Sequence, residues 1–343
     1  MSELCFTINT QKLLLKYNWA ISRNTSAFKI NAIICLSDGL IQGYGEAAPN
    51  IRYGETPELL LEQFELFNSK FIYSNFNVKD ADTAIEAFEE YLSEFEICQA
   101  LRFGISAAFA HYISKKYQKP LSYLLGIRPP DLPLPSSYSI PIMDPSLLQN
   151  FCETFHLKRF KRIKIKVKTE EATEIIHELR KYLDAELLVD GNECWTDVEA
   201  LIRFSESLPK LRVGLLEQPM PAHMTEEYQW LKKHSPIPLI ADESCLAAPD
   251  MDALQSQFHG INMKLMKAGS YRNGIKILQE AQKRKMIRMI GCMVETSIGI
   301  ASAMQVSHGV QYADLDGFLI IKDEPFGLVE EKNGSLYFND KNF

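Results

Sequence analysis

Charged residues stand at the ends of apolar runs through the second half of this chain, at nearly even intervals. They are Lys166 in RIKIKVK, Asp190 in LLVDGN, Glu217 in GLLEQP, Asp242 in PLIADES and Lys264 in GINMKLMKAG. The successive spacings are 24, 27, 25 and 22 residues. One strand, one loop and one helix take about that length, which is the repeat of a (β/α)8 barrel. Residues at the C-terminal ends of different barrel strands converge on one mouth. The spacing therefore predicts three anions and two cations around a single cavity, with the carboxylates on adjacent strands and a lysine to either side.

Ile163, Ile165 and Val167 alternate with Lys164, Lys166 and Lys168, as in a strand with one apolar face. Alone, such a run reads as a solvated basic patch. In a parallel barrel the outer face lies under helices, so the lysines must point into the barrel or at its mouth. Lysines there need counter-anions, and Asp190, Glu217 and Asp242 supply them. A lone acidic residue after a strand often caps the following helix; three in consecutive strands point to a shared site. All-oxygen ligation suits a hard ion such as Mg²⁺ rather than Zn²⁺, and no His-Cys cluster occurs in the sequence. Lys166 and Lys264 fall on the second and sixth strands, across the barrel from each other. A lysine near other lysines and out of bulk water titrates low and serves as a base. Two such groups facing one carbon can take a proton from one side and return one on the other.

At 343 residues the chain exceeds the ~250–300 of a single core, so two domains are expected. Strand-like runs at 4–15 and 28–36, then the turn Ser37-Asp38-Gly39 and a return over 40–44, predict an N-terminal hairpin. Helical periodicity covers 56–126 and opens on Thr56-Pro57-Glu58. Prolines at 129, 130, 133 and 135 mark a boundary. Beyond it strand candidates fall at 134–140, 160–167, 186–190, 212–217, 237–241, 260–265, 286–293 and 311–316. They alternate with helical stretches such as 170–183 and 197–208, the α/β signature. The last ~25 residues read as a hairpin that leaves the barrel and returns to the N-terminal sheet. A net charge of −7 argues against nucleic acid as a partner. No apolar run reaches a membrane span and no leader pattern is evident. Seven scattered cysteines without a CxxC pair suit a reducing compartment, so a cytoplasmic protein is expected.

Lys164-Ile165-Lys166, Asp190-Gly191-Asn192, Glu217-Gln218-Pro219, Ala241-Asp242-Glu243-Ser244 and Asn262-Met263-Lys264 together resemble the motifs of the enolase superfamily, muconate-lactonising-enzyme subgroup. The resemblance covers nearly the whole chain. It implies an α/β fold: a modified TIM barrel, (β/α)7β, over 129–317, with an N-terminal α+β capping domain over 1–128 completed by the tail at 318–343. It implies that Asp190, Glu217 and Asp242 hold Mg²⁺, with Asn192 and Glu243 behind them. Lys166 and Lys264 become the acid/base pair, and Lys164 lies near the bound carboxylate. The shared step is removal of a proton α to a carboxylate, with the metal stabilising the enediolate.

Gly291-Cys292-Met293-Val294-Glu295-Thr296 and Asp314-Leu315-Asp316 resemble dipeptide epimerases, notably the L-Ala-D/L-Glu type. There the two aspartates hold the free ammonium of the dipeptide, and Met293 and Glu295 are implied to bind substrate. Loops 21–24 and 50–55 close over such a site and bring Arg23 and Arg52 towards the side chain of the epimerised residue. A guanidinium fork matches a carboxylate, which implies a C-terminal Glu or Asp. The activity implied is Mg²⁺-dependent, two-base 1,1-proton transfer on a small dipeptide, without nucleic acid or membrane and with a homo-oligomer left open. Alternatives are an o-succinylbenzoate synthase or N-acylamino acid racemase, which share the lysines but need no ammonium site, and a catalytically silent binding protein on the same scaffold. A Schiff-base aldolase barrel would not need three clustered carboxylates.

Overall fold

A computed structural model describes residues 4–22, 24–71, 80–169 and 172–339. Three strands open the chain: β1 (Cys5–Ala20), β2 (Thr25–Ser37) and β3 (Gln42–Ala47), antiparallel in sequence order. The expected turn is there. Asp38 Oδ1 accepts from Leu40 N at 3.0 Å and Ile41 N at 2.8 Å, which closes β2 into β3. Three helices follow: α1 (Pro57–Lys70), α2 (Ala81–Ser93) and α3 (Gln99–Tyr117). Thr56 caps α1 through Leu59 N and Pro57 takes the first turn, where its missing N–H costs nothing. The interior of α3 is buried nearly all round, and it lies directly on β3. A Cβ on Gly45 would stand 1.9 Å from Gly104 O, so two glycines permit this approach of helix to strand.

The barrel strands are parallel and run in sequence order. The expected first strand, 134–140, divides in two: β4 (Leu134–Pro135) stays outside and β5 (Tyr138–Ile140) joins the barrel. The others are β6 (Arg162–Lys166), β7 (Glu186–Asp190), β8 (Val213–Glu217), β9 (Leu239–Ala241), β10 (Gly260–Met263), β11 (Ile287–Gly291) and β12 (Tyr312–Asp314). β5 and β12 meet across the seam through Ser137 N donating to Ala313 O at 2.9 Å and Leu315 N donating to Ser136 Oγ at 2.9 Å. Ile163 and Ile165 are fully buried, while Lys164 on the opposite face is buried beside the acidic residues. Leu188, Leu215, Ile240 and Met289 form a separate apolar cluster. Lys164 is paired in register with Leu188, so its long side chain rises from that level to the strand ends.

After β12 the chain forms β13 (Val329–Lys332) and β14 (Ser335–Phe338). The hairpin is as expected, but its sheet partner is β4, with Leu336 opposite Leu134. The tail meets the N-terminal sheet through a bridge between Leu15 and Ile321. A second link crosses from sheet to barrel. Glu46, fully buried on β3, accepts from Asn31 Nδ2 at 2.7 Å, Thr296 Oγ1 at 2.7 Å and Gly299 N at 3.0 Å. Its carboxylate thereby sits at the N-terminus of the helix Ser297–Gln305, where the exposed N–H groups favour an anion. Among the described residues, no helix is long and apolar enough to cross a membrane.

Candidate active site

The three carboxylates arrive where the spacing predicts. Asp190 closes β7, Glu217 closes β8 as its register partner, and Asp242 follows β9. All three are nearly inaccessible to solvent. Lys164 Nζ stands among them, 3.0 Å from Asp190 Oδ2, 2.9 Å from Glu217 Oε2 and 2.9 Å from Asp314 Oδ2. Lys166 Nζ lies 2.8 Å from Asp190 Oδ2 and donates to Asn192 Oδ1 at 3.0 Å. Lys264 Nζ lies 2.8 Å from Asp242 Oδ2. Burial pulls the Lys164 and Lys264 pKa values down, but the facing carboxylates outweigh it and hold both above the ordinary lysine value. This reverses the low titration expected for a crowded lysine, and the cause is Asp242 in contact with Lys264. Burial, followed by the neighbouring carboxylates, pushes Glu217 up to about 7.

Among the described residues no His, Cys, Asp and Glu side chains are already drawn together as a finished ligand shell, because ammonium groups lie between the carboxylates. The donor set still fits a hard cation. Glu217 Oε2 is buried and accepts no hydrogen bond, although Lys164 Nζ is close, and Asn262 Oδ1 beside it is likewise unsatisfied. Buried oxygens without donors are costly. The loops that carry the set are fixed from behind. Asn192 N donates to Asp190 Oδ1 at 2.9 Å, and Asn192 Nδ2 reaches Glu243 Oε1 at 3.4 Å. Gln218 Oε1 accepts from Asp242 N and Ser244 N, each at 3.0 Å. Asn192 and Gln218 both have positive φ, 42° and 32°, a strained backbone of the kind that clusters at functional sites.

A cavity of about 460 Å³ lies over this floor and is roofed by the N-terminal elements. Lys164, Lys166, Asp242, Lys264, Asp314 and Asp316 line it below; Trp19, Ile21, Lys29 and Tyr53 line it above. Asp314 Oδ1 accepts from Ser137 Oγ at 2.7 Å, and Asp316 takes the N–H of Ser139. Burial and then Asp314 push the Asp316 carboxyl up to about 7. Met293 lines the cavity. Glu295 does not; it lies behind that wall and accepts from Met293 N at 2.6 Å. Burial and then Glu46 push its carboxyl up to about 8. Arg52 is also turned away from the cavity. Its guanidinium makes a two-point pair with Glu193, Nε–Oε2 2.8 Å and Nη2–Oε1 2.9 Å, which ties the capping loop to the chain after β7. Arg23 lies outside the described residues.

Lys267 escaped the sequence reading. It is buried, with Nζ 2.6 Å from Asp242 Oδ1 and 3.2 Å from Asn262 O, and it also donates to Asp242 O. Its place in the short helix Leu265–Ala268, three residues after Lys264, was the available signal, since i and i+3 share a helix face.

Residues 148–325 match the family described as Enolase C-terminal domain-like, which is just over half of the chain. The chain is 31% identical over 332 residues to the L-Ala-D/L-amino acid epimerase of Flavobacterium johnsoniae, covering 96% of this chain and 95% of that one. It is 30% identical over 300 residues to the L-Ala-D/L-Glu epimerase of Bacteroides thetaiotaomicron, covering 88% and 76%. Its structure resembles the crystal structure of dipeptide epimerase from Enterococcus faecalis, complexed with Mg and the dipeptide L-Leu-L-Tyr, with a TM-score of 0.85, 25% identity and coverage of 98% and 97%. Capping sheet, parallel barrel, acidic strand ends and these relatives agree: the chain belongs to the enolase superfamily.

Proposed function

We propose that this protein is a Mg²⁺-dependent dipeptide epimerase that moves a proton on and off the α-carbon of the C-terminal residue. One observation carries the reading: Lys166 and Lys264 come from strands half a barrel apart and line the same cavity, together with Asp242, Asp314 and Asp316. Asp190, Glu217 and Asp242 would hold the cation. When bound there, Mg²⁺ supplies positive charge against the negative charge that builds on the substrate carboxylate as the α-proton leaves. Lys164, with its ammonium between the trio and Asp314, meets that carboxylate. One of the two facing lysines, neutral, takes the α-proton; the other, as ammonium, returns one from the opposite side. Asp242 keeps Lys264 charged in the free protein, so neutralising that carboxylate is what frees Lys264 to act as a base. Asp314 and Asp316 receive the free ammonium of the N-terminal residue, which a substrate with an acylated nitrogen would lack.

The relatives are named for L-Ala-D/L-Glu and broader L-Ala-D/L-amino acid epimerisation, and L-Ala-D/L-Glu or a related dipeptide is the expected substrate here. A cytoplasmic site of action goes with this reading, because all seven cysteines are free thiols as a reducing compartment leaves them. The test is a dipeptide panel incubated in D₂O with Mg²⁺ and read by mass spectrometry and chiral chromatography. One deuterium should enter the C-terminal residue as its configuration inverts, EDTA should stop the reaction and Mg²⁺ should restore it. No exchange with any free dipeptide, or equal rates on N-acetylated ones, would contradict the proposal; the second result would favour an N-acylamino acid racemase.

A further inference from the structure

The roof of the cavity carries a cation that the proton transfer does not use. Lys29 lies on β2 opposite Leu13 of β1, is partly buried and lines the cavity with Trp19, Phe28 and Ile30. Among the described residues no hydrogen bond or ion pair engages its ammonium, and burial pushes its pKa down with no nearby carboxylate to offset it. The other cavity lysines differ. Lys164, Lys166 and Lys264 each stand within 3.0 Å of a carboxylate oxygen. Arg52, the described cation on the capping loop, is committed to Glu193. A partly desolvated ammonium without an anion is costly, and such groups in clefts mark binding sites.

The strand register says what Lys29 overlooks. Asn31, two residues on and therefore on the same face, donates to Val294 O just beyond β11 at 2.9 Å. On the facing strand, Leu15 bridges Ile321 and Lys16 N donates to Ile320 O at 2.9 Å. Lys29 thus stands on the side of the roof above the exit of β11 and the segment after β12, the segment that carries Asp316.

We infer that Lys29 is a specificity-determining residue that binds a side-chain carboxylate of the dipeptide, making acidic dipeptides the preferred substrates. This rests on the epimerase reading.

The test compares Glu-Ala, Ala-Glu and the uncharged Ala-Leu on the wild type, Lys29→Met and Lys29→Arg, all with Mg²⁺. The wild type should favour at least one acidic dipeptide over Ala-Leu. Lys29→Met should cut kcat/KM on that dipeptide by about 30-fold or more, chiefly through KM, as loss of one partner of a desolvated charge pair does. Ala-Leu should be turned over as before, and Lys29→Arg should keep most of the preference. Whichever acidic dipeptide suffers shows which side chain Lys29 reads. Equal losses on Ala-Leu, or an unchanged acidic preference in Lys29→Met, would overturn the inference. A wild type that turns over Ala-Leu but neither acidic dipeptide overturns it while leaving the epimerase reading intact; no turnover of any dipeptide overturns both.

Discussion

Replacing Lys267 by methionine should destabilise the barrel more than any change at Lys166 or Lys264. Methionine keeps the length and the apolar stem, so packing is largely retained and the loss is confined to the ammonium. That group holds Asp242 Oδ1 at 2.6 Å and two main-chain carbonyls, from a side chain only 2% exposed. Removing one partner of a buried ion pair costs roughly 3–5 kcal/mol. The orphaned carbonyls add to that, and the remaining contact of Lys264 with Asp242 at 2.8 Å takes some away. At a few degrees per kcal/mol, the melting temperature should fall by roughly 6–15 °C. Differential scanning calorimetry in EDTA reads this without interference from bound metal. Lys264→Met is the control, because its side chain is 10% exposed and, among the described residues, its ammonium donates to Asp242 alone. It should melt closer to the wild type while losing more activity. Melting of Lys267→Met within about 2 °C of the wild type, or below it only as far as Lys264→Met, would refute the view that Lys267 is a buried clamp.

Two further outcomes follow from the same geometry. Asp316→Ala should raise KM for free dipeptides by about 30-fold or more and bring them level with N-acetylated ones; a variant that still discriminates between the two would remove Asp316 from the ammonium site. Glu295 gives a pH signature. Its folded pKa is raised to about 8 by burial and by Glu46, so the fold favours the protonated form. The stability from this group is complete below the ordinary glutamate range and is lost as pH rises through about 8. Glu295→Gln should therefore match the wild type in urea unfolding near pH 4 and exceed it near pH 9; a constant difference between the two would contradict the assignment.

What could be read from the chain follows the short-range rules. Apolar runs ending in a charge fix strand ends, and alternation fixes which face of β6 looks inward, so the trio and its lysines were legible from Lys166, Asp190, Glu217, Asp242 and Lys264. The missed features depend on distant partners. Arg52 had no visible reason to prefer Glu193, 141 residues away. Glu46 reads as an ordinary strand residue until Thr296, 250 residues on, meets it. Glu295 reads as a mouth residue, and only the path of the chain after β11 turns it behind the wall. The direction of the lysine pKa shift failed for a related reason: crowding among lysines can be inferred from spacing, whereas the 2.8 Å contact of Asp242 with Lys264 is a matter of side-chain placement. Lys29 is silent in sequence, because a lysine on a hairpin strand is usually solvated.

The claim that matters most is that Lys166 and Lys264 act on opposite faces of one carbon. Lys166→Ala and Lys264→Ala, each incubated with L,L- and L,D-dipeptide in D₂O and Mg²⁺, test it directly. Both variants should lose epimerisation by ~10²–10⁴-fold. Each should keep slow deuterium exchange with only one diastereomer, and the two variants should keep opposite ones. Exchange of the same diastereomer by both variants, or undiminished epimerisation in either, would contradict the two-base site.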